Sequence, residues 1–396
     1  MKYQYVEDFK NLGFGMFVHF GVYSVLKKGE WAKNILNIPY EEYDKLIKKF
    51  NVTKNWAKNL VKTAKNAGCK YITLTTRHHD GFSLYDTKGL SNYDINLTKQ
   101  KRDLVKEFVD ACNEQGIVPF FYHTLLDWHH PDFNTDFPKY IDYLVKSVEL
   151  LCVNYGKIGG FWFDGMWNKW DENWQEDRLY GTIRKYQPTA MIINNTGLSR
   201  QGEQGHPEID SVTFGRGEAS VVENVNRPLA GEVCDALNDH WGYAEYDINY
   251  KSIKQIIKGL INARKVGANY LLNVGLQGNG ELTSLDKGYF EAIGKWIKVN
   301  KNVYYNLKKC DITAENALIL TDGDNYYAIL ENSVTGGTND VMPDAKTFEV
   351  KINANIKNVK YLDNGKSIKV KNNAFMVDAY EYGTNYLFRI AKFNLK

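Results

Sequence analysis

Histidines and a carboxylate gather where short apolar segments of this sequence end. Asp164 closes the segment 160–164, GFWFD, in which no other residue carries a charge. Hydrolysis of a glycosidic bond needs two carboxyl groups, one that attacks the sugar and one that donates and accepts a proton. We therefore expect Asp164 to be a nucleophile, although an Asp at this position can also cap a helix that follows a strand. Seven of the eight histidines lie at or just beyond the ends of such segments, namely His19, His78, His79, His123, His129, His130 and His240.

A metal-dependent hydrolase is an alternative interpretation of the same residues, because His and Asp are common zinc ligands. The sequence has no His-x-His pair near its first predicted strand. Its adjacent pairs, His78-His79 and His129-His130, would point to opposite faces of a strand, which makes each a poor two-point ligand. We therefore expect no metal site and no cofactor.

Eight short apolar segments predict strands that are buried on both faces, since several are β-branched or aromatic throughout. They span residues 15–20, 71–76, 118–123, 160–164, 190–194, 211–214, 230–233 and 270–274. Segments with helical periodicity separate most of them, at 53–67, 101–115, 136–155, 172–186, 252–266 and 284–300, and Thr53 is expected to cap the first. This alternation predicts a (β/α)8-like, TIM-type barrel, with irregular or missing helices around strands five to seven. Such a barrel gathers functional groups at the carboxyl ends of its strands.

The last ninety or so residues follow a different pattern. Apolar and polar residues alternate with period two, and Asp-Gly, Asn-Gly and Asn-Asn pairs separate the segments. These features are typical of antiparallel hairpins. We expect a barrel domain over 1–303 and a small antiparallel β-sandwich over 304–396.

Composition excludes several function classes. The chain has 396 residues and a formal net charge of +3, so no nucleic-acid or membrane partner is expected. No apolar stretch approaches the ~20 residues of a membrane span. The five cysteines form no Cys-x-x-Cys pair, which favours reduced thiols, and no signal peptide is recognisable, so we expect a cytoplasmic protein. Aromatic residues make up 14% of the chain, enough to supply both a core and a sugar-binding surface.

Eight segments, in order over about residues 10–285, resemble glycoside hydrolase family 29, the retaining α-L-fucosidases. The matching segments are GFGMFVHFGVYSV, GEW at 29–31, YITLTTRHHDGFSLYDTK, KRDLV, FYHTLLDW, FWFDG, LNDHWGY and ANYLLNVGLQGNGEL. The resemblance implies that Asp164 forms a covalent fucosyl-enzyme and that the substrate is a fucosylated oligosaccharide or glycoconjugate. It also implies sugar contacts from His19, Glu30, Trp31, His78, His79, Tyr122, Trp162 and Trp241. The resemblance further implies that Trp241 packs near the methyl group of fucose.

The acid/base residue is less well marked. The resemblance places it in the stretch after strand six, where counting back from Glu232 gives Glu218, although the residues around Glu218 depart from the family motif. Glu223 and Glu232 are the alternatives. Retention requires the two carboxyl groups to lie about 5–5.5 Å apart. Because the motif is degenerate, a catalytically weak or silent fucose-binding barrel is a further alternative.

A second departure lies after strand five. Many family members carry an Arg near the position of Thr196, where it contacts the region of the nucleophile, and this sequence has Asn194-Asn195-Thr196-Gly197 instead. The departure predicts an altered subsite or substrate preference.

Overall fold

The computed structural model describes residues 3–216, 219–222, 227–337 and 347–396. The chain divides into two compact units. One comprises Met1–Lys251 with Ala268–Glu291, and the other comprises Ser252–Gly267 with Ala292–Lys396. The domain boundary expected after residue 303 stays a prediction.

Eight parallel strands close into a barrel, as the sequence predicted. They are β1 (Phe14–His19), β2 (Tyr71–Arg77), β3 (Val118–Thr124), β4 (Gly160–Asp164), β5 (Met191–Asn194), β6 (Ser211–Gly215), β7 (Ala230–Ala236) and β8 (Asn269–Gly275). Each strand pairs with its neighbour in the chain, and β1 pairs with β8 to close the sheet. Nearly every strand residue is buried, which explains why the strands read as continuous apolar segments.

The α-helices are α1 (Gln4–Lys10), α2 (Tyr23–Leu26), α3 (Ala32–Ile35), α4 (Tyr40–Tyr43), α5 (Trp56–Asn66), α6 (Leu104–Gln115), α7 (Asp132–Thr135), α8 (Phe137–Asn154), α9 (Glu176–Tyr186), α10 (Ile253–Lys265) and α11 (Ser284–Val299). Short 3₁₀ helices span Asp44–Lys49, Ile95–Leu97, Met166–Asn168, Leu198–Arg200 and Val303–Asn306. Asp103 and Ser252 cap α6 and α10 with side-chain hydrogen bonds to the backbone. No helix among the described residues is long and apolar enough to cross a membrane.

The expectation that Thr53 caps the first long helix was wrong. That helix, α5, begins at Trp56 after Asn55, whose side chain makes no capping bond. The Thr53 hydroxyl donates instead to Glu281 at 2.9 Å, and the Thr53 amide donates to the carbonyl of Asn279. Thr53 therefore binds residues that are distant in sequence instead of capping the helix that follows it.

The connections after β5 and β6 are irregular, as expected. Between β5 and β6 the only helical segment is the 3₁₀ helix Leu198–Arg200. Between β6 and β7, the described residues 219–222 and 227–229 contain no helix. The described residues on this side of the barrel mouth therefore form loops and one short 3₁₀ helix.

Aromatic rings fill the barrel interior beneath its carboxyl-terminal mouth. Phe17 lies 4.9 Å from Trp162, measured between ring centroids, and Tyr122 stacks on Trp162 at 5.8 Å. Lower in the barrel, Tyr71 packs so closely on β1 that a Cβ atom at Gly15 would lie 2.4 Å from its ring. Glycine at position 15 is thus required by close packing. The rings form a rigid floor for whatever lies above them.

The carboxyl-terminal residues form two antiparallel sheets, which confirms the predicted β-sandwich. Their strands are β9 (Lys308–Lys309), β10 (Ala314–Glu315), β11 (Leu318–Thr321), β12 (Tyr326–Leu330), β13 (Phe348–Ile352), β14 (Ile356–Tyr361), β15 (Ala374–Val377) and β16 (Arg389–Leu395). One sheet has the order β10-β13-β15 and the other has the order β14-β16-β12-β11-β9. Alternate residues such as Val350, Ile356, Phe375 and Phe393 form the core between them.

Candidate active site

A pocket of about 530 Å³ opens at the carboxyl ends of the barrel strands. It brings together nine of the ten residues predicted for the site: His19, Glu30, Trp31, His78, His79, Tyr122, Trp162, Asp164 and Trp241. The tenth, Glu218, lies outside the described residues, as does the alternative Glu223. These nine come from distant parts of the sequence, and the closed barrel is what assembles them.

Asp164 lies at the end of β4 and is surrounded by donors from other loops and strands. The hydroxyl of Tyr122 donates to its Oδ2 at 3.0 Å. The indole N–H of Trp167 and the amide of Asn195 donate to Oδ1 at 2.9 and 3.0 Å. Nε2 of His79 lies 3.5 Å from Oδ2. Both carboxylate oxygens are therefore held in a fixed orientation, and the side chain is only 14% exposed.

The net effect of these neighbours is to keep Asp164 ionised. Burial alone raises the pKa of a carboxyl group, because it removes the charged form from water. At Asp164, the hydrogen bond and charge of His79, followed by the hydrogen bonds of Trp167 and Asn195, outweigh burial and lower the pKa below its usual value. A buried carboxylate that stays charged at neutral pH is suited to nucleophilic attack.

The proton arrangement of His79 follows from its partners. Thr124 donates its only hydroxyl proton to the carbonyl of Leu126, so its oxygen accepts from Nδ1 of His79 at 2.7 Å. Nδ1 therefore carries a proton, and Nε2 faces Asp164.

The hydrogen-bond partners of His19 define which of its ring nitrogens carries the proton. Its Nδ1 lies 2.6 Å from the side-chain oxygen of Asn273, whose amide nitrogen is used on the carbonyl of Trp241. Nδ1 therefore donates to Asn273. Burial lowers the pKa of His19 to about 4, so the ring is neutral and Nε2 keeps an accepting lone pair. His19 can thus accept a hydrogen bond from a hydroxyl group of a ligand.

His78 lies between these two rings. Its ring stacks on Tyr122 with centroids 5.5 Å apart, and lies 4.2 Å from the ring of His79. Burial and the neighbouring histidines lower its pKa well below the usual value, so it is neutral. Its buried Nδ1 has no hydrogen-bond partner among the residues that the structure describes.

Glu30 and Trp31 form one side of the pocket. Glu30 Oε2 accepts from the amide of Gly242 at 2.6 Å, so the segment before α3 is tied to the loop after β7. Trp31 stacks on Trp167 with an interplanar angle of 23° and meets His79 edge-on. Its ring therefore supports the two side chains that contact Asp164.

Trp241 lies on the loop after β7, above the aromatic floor. Its ring centroid is 6.1 Å from Phe17 and 5.6 Å from His19. The guanidinium of Arg216 lies 4.8 Å from the centroid of the Trp241 ring. Trp241 thus gives the pocket an apolar wall close to a hydrogen-bond acceptor.

Glu232, the third candidate for the acid/base role, lies inside the barrel and does not line the pocket. The indole of Trp162 donates to Oε1 at 2.8 Å, and Tyr71 donates to Oε2. The residue has no exposed surface. Its position is that of a buried partner of Trp162, which argues against proton transfer to a substrate.

The remaining four predicted rim histidines do not line the pocket. His123 is buried against Arg77, and His240 pairs with Asp247 at 2.7 Å. His129 stacks on Tyr93, and His130 stacks on Tyr143. The strand ends placed these residues correctly near the rim, but loop packing turned them away from the site.

Several pocket residues were missed by the sequence reasoning, namely Trp167, Trp170, Asn195, Leu198 and Arg216. Each follows a barrel strand closely, so its position after a strand was the available signal. Asn195 is the most instructive. It supplies a donor to Asp164 from the stretch after β5, where the sequence departs from the resemblance.

No group of three or more His, Cys, Asp or Glu residues within the described ranges is arranged to hold a metal ion. The neighbours of Asp164 are hydrogen-bond donors rather than further ligands. The arrangement therefore fits a nucleophile better than a metal centre.

Comparisons with known proteins agree with the motifs. The family model described as alpha-L-fucosidase matches residues 1–302. Tissue alpha-L-fucosidase of Rattus norvegicus is 26% identical over 344 residues, which is 78% of this chain and 71% of the rat protein. Alpha-L-fucosidase isoenzyme 1 from Paenibacillus thiaminolyticus is 28% identical with a TM-score of 0.85, over 100% of this chain and 99% of that chain. A Lactobacillus casei alpha-L-fucosidase variant in complex with Fuca(1,6)GlcNAc is 27% identical with a TM-score of 0.66, over 76% of this chain and 99% of that one.

Replacement of Glu232 by Gln should change the pH dependence of stability. Burial raises the pKa of Glu232 to about 7 even though its two hydrogen bonds oppose the shift. Folding therefore favours the protonated form, and this contribution to stability is lost as pH rises from about 4.3 through 7. The free energy of unfolding of the wild type, relative to Glu232→Gln, should fall by roughly 2–3 kcal/mol between pH 5 and pH 8 in urea titrations.

The exposed Glu41 provides a matched control. Glu41→Gln should follow the wild-type pH profile. Parallel profiles for wild type and Glu232→Gln would show that Glu232 is not the buried acid described above.

Proposed function

Since the chain belongs to the alpha-L-fucosidase family of glycoside hydrolases, we propose that it cleaves terminal α-L-fucosides through a covalent fucosyl-enzyme on Asp164. The observation that carries this proposal is the environment of Asp164. A carboxylate at the end of an apolar strand is kept charged by Tyr122, His79, Trp167 and Asn195. Fucosidases act on fucosylated substrates, and the pocket offers both hydrogen-bonding groups and apolar walls for such a sugar.

In the first step, a carboxylate oxygen of Asp164 attacks the anomeric carbon of fucose. The bond between that carbon and the glycosidic oxygen breaks, and the departing oxygen takes a proton from the acid/base. We propose Glu218 for this acid. The enclosed position of Glu232 supports Glu218 over Glu232, because an acid must reach the glycosidic oxygen.

In the second step, the carboxylate of Glu218 removes a proton from water. The water oxygen attacks the anomeric carbon from the face that the aglycone has left, and the bond to Asp164 breaks. Fucose departs with its original anomeric configuration, while Glu218 is protonated and Asp164 ionised again. The four donors around Asp164 favour this return, because they stabilise the free carboxylate.

The remaining predicted residues are proposed to hold the sugar. Nε2 of neutral His19 is an acceptor for a hydroxyl proton, and His79 contacts the sugar beside Asp164. His78, whose ring lies between those of His19 and His79, is proposed to contact the sugar as well. Glu30 and Trp31 close one side, Tyr122 and Trp162 form the floor, and Trp241 faces the methyl group of fucose.

The proposed substrates are fucosylated oligosaccharides or glycoconjugates. The Lactobacillus casei relative in complex with Fuca(1,6)GlcNAc supports this class. The chain has five cysteines and all are unpaired, which supports a reducing compartment such as the cytoplasm.

Asp164→Gly should lower kcat for an aryl α-L-fucoside by on the order of 10³-fold or more, because the covalent route is lost. Azide should restore turnover by entering the space left by the carboxylate. It attacks from the face opposite the leaving group, so the product should be β-L-fucosyl azide, identified by NMR. Asp171→Gly, which removes an exposed carboxylate from the same connection, should behave as wild type. Wild-type turnover by Asp164→Gly would exclude Asp164 as the nucleophile.

Glu218→Ala should lose on the order of 10²–10⁴-fold in kcat/KM for substrates with poor leaving groups. Activity on an activated aryl fucoside should fall less, because its leaving group needs little protonation. Here azide attacks the fucosyl-enzyme, so the product should be α-L-fucosyl azide. Glu223→Ala serves as the comparison. If it shows this pattern and Glu218→Ala does not, the acid/base is Glu223.

A further inference from the structure

A large apolar side chain is exposed at the rim of the pocket. Leu198 is 76% exposed, yet it lines the same cavity as Asp164. The buried part of the pocket already offers walls and hydrogen-bonding groups around the nucleophile. Leu198 stands outside that part, and exposure of an apolar side chain gives no stability by itself. Its position therefore needs a different explanation.

The loop that carries Leu198 is firmly held. Asn195, at its start, donates to Asp164 and accepts from the amide of Gly197. The hydroxyl of Thr196 donates to the carbonyl of Arg200 at 2.5 Å. A Cβ atom at Gly197 would lie 3.3 Å from the indole of Trp167, so the loop packs closely on a ring that contacts the nucleophile. Leu198 is thus presented in a defined place.

Trp170 lies beside this loop and also lines the pocket. The guanidinium of Arg200 lies 4.2 Å from the centroid of the Trp170 ring. A cation against one face of an indole holds the ring in place. Trp170 is only partly buried, so it keeps surface available to a ligand.

We propose that Leu198 and Trp170 form the surface on which the second sugar ring of the substrate packs, and that Leu198 sets the preference for a leaving group with a ring over one without. This inference rests on the proposed function, since it places the second sugar ring next to the fucose held at Asp164. A pyranose ring has one face made largely of C–H groups, and such a face packs well on an aliphatic or indole surface. The surface is continuous with the pocket, on the side formed by the loops after β4 and β5.

A comparison of two fucosides isolates this contact. A fucosyl disaccharide and methyl α-L-fucoside both release an alcohol, but only the disaccharide has a second ring. In Leu198→Ser, the ratio of kcat/KM for the disaccharide to kcat/KM for the methyl fucoside should fall roughly tenfold. Leu198→Met retains an apolar side chain of similar size and should keep the wild-type ratio.

Ile248→Ser is the matched control, because Ile248 is 84% exposed and does not line the pocket. It should leave the ratio unchanged. An unchanged ratio in Leu198→Ser, or an equal fall in Leu198→Met, would overturn the proposal. Hydrolysis of α-L-fucosyl fluoride by the wild type tests the proposed function separately, since fluoride has no ring and needs no acid. Failure there would contradict the fucosidase mechanism itself, and the aglycone surface with it.

Discussion

The rest of the site depends on keeping one buried carboxylate charged. Removing Asp164 from water has a cost that hydrogen bonds must offset, and its donors come from four different places around the barrel. Tyr122 comes from β3, His79 follows β2, Trp167 follows β4, and Asn195 follows β5. Only a closed barrel with this strand order brings these four together. The barrel thus positions hydrogen-bond donors from four separate segments around one carboxylate.

A second carboxyl group in the same barrel, Glu232, shows how strongly the surroundings change the pKa of a buried acid. Within the described part of the chain Glu232 has two donors, Tyr71 and Trp162, and no charged partner, and burial raises its pKa. Asp164 has a histidine and further donors, and its pKa is lowered. The barrel therefore holds one carboxyl group whose pKa is raised and one whose pKa is lowered. Glu232 supports the floor of the pocket through its hydrogen bond from Trp162.

Periodicity and turn residues were enough to predict the barrel and the β-sandwich, and the strand ends pointed to Asp164 and to a cluster of histidines. The other predicted pocket residues came from the resemblance to glycoside hydrolase family 29. The eight strands could be predicted because each is apolar along its length, a local property of the chain. Thr53 was misjudged as a helix cap because its partners, Asn279 and Glu281, are far away in sequence. Strand ends also could not show which rim histidines face the pocket, because that depends on tertiary packing. His129, for example, stacks on Tyr93, a contact that no local pattern encodes. Asn195 was missed because the carboxylate that it contacts lies on another strand, whereas Trp167 is only three residues from Asp164 and its orientation is set by the turn after β4.

The side chain of Asn195 connects the nucleophile to the loop at the rim of the pocket. Its amide holds Asp164, and its carbonyl oxygen holds the turn that presents Leu198. The donor to the carboxylate and the acceptor in the turn are therefore the two ends of one planar side-chain amide. Only one orientation of that plane satisfies both contacts, so a single side chain fixes the nucleophile and the position of the rim together.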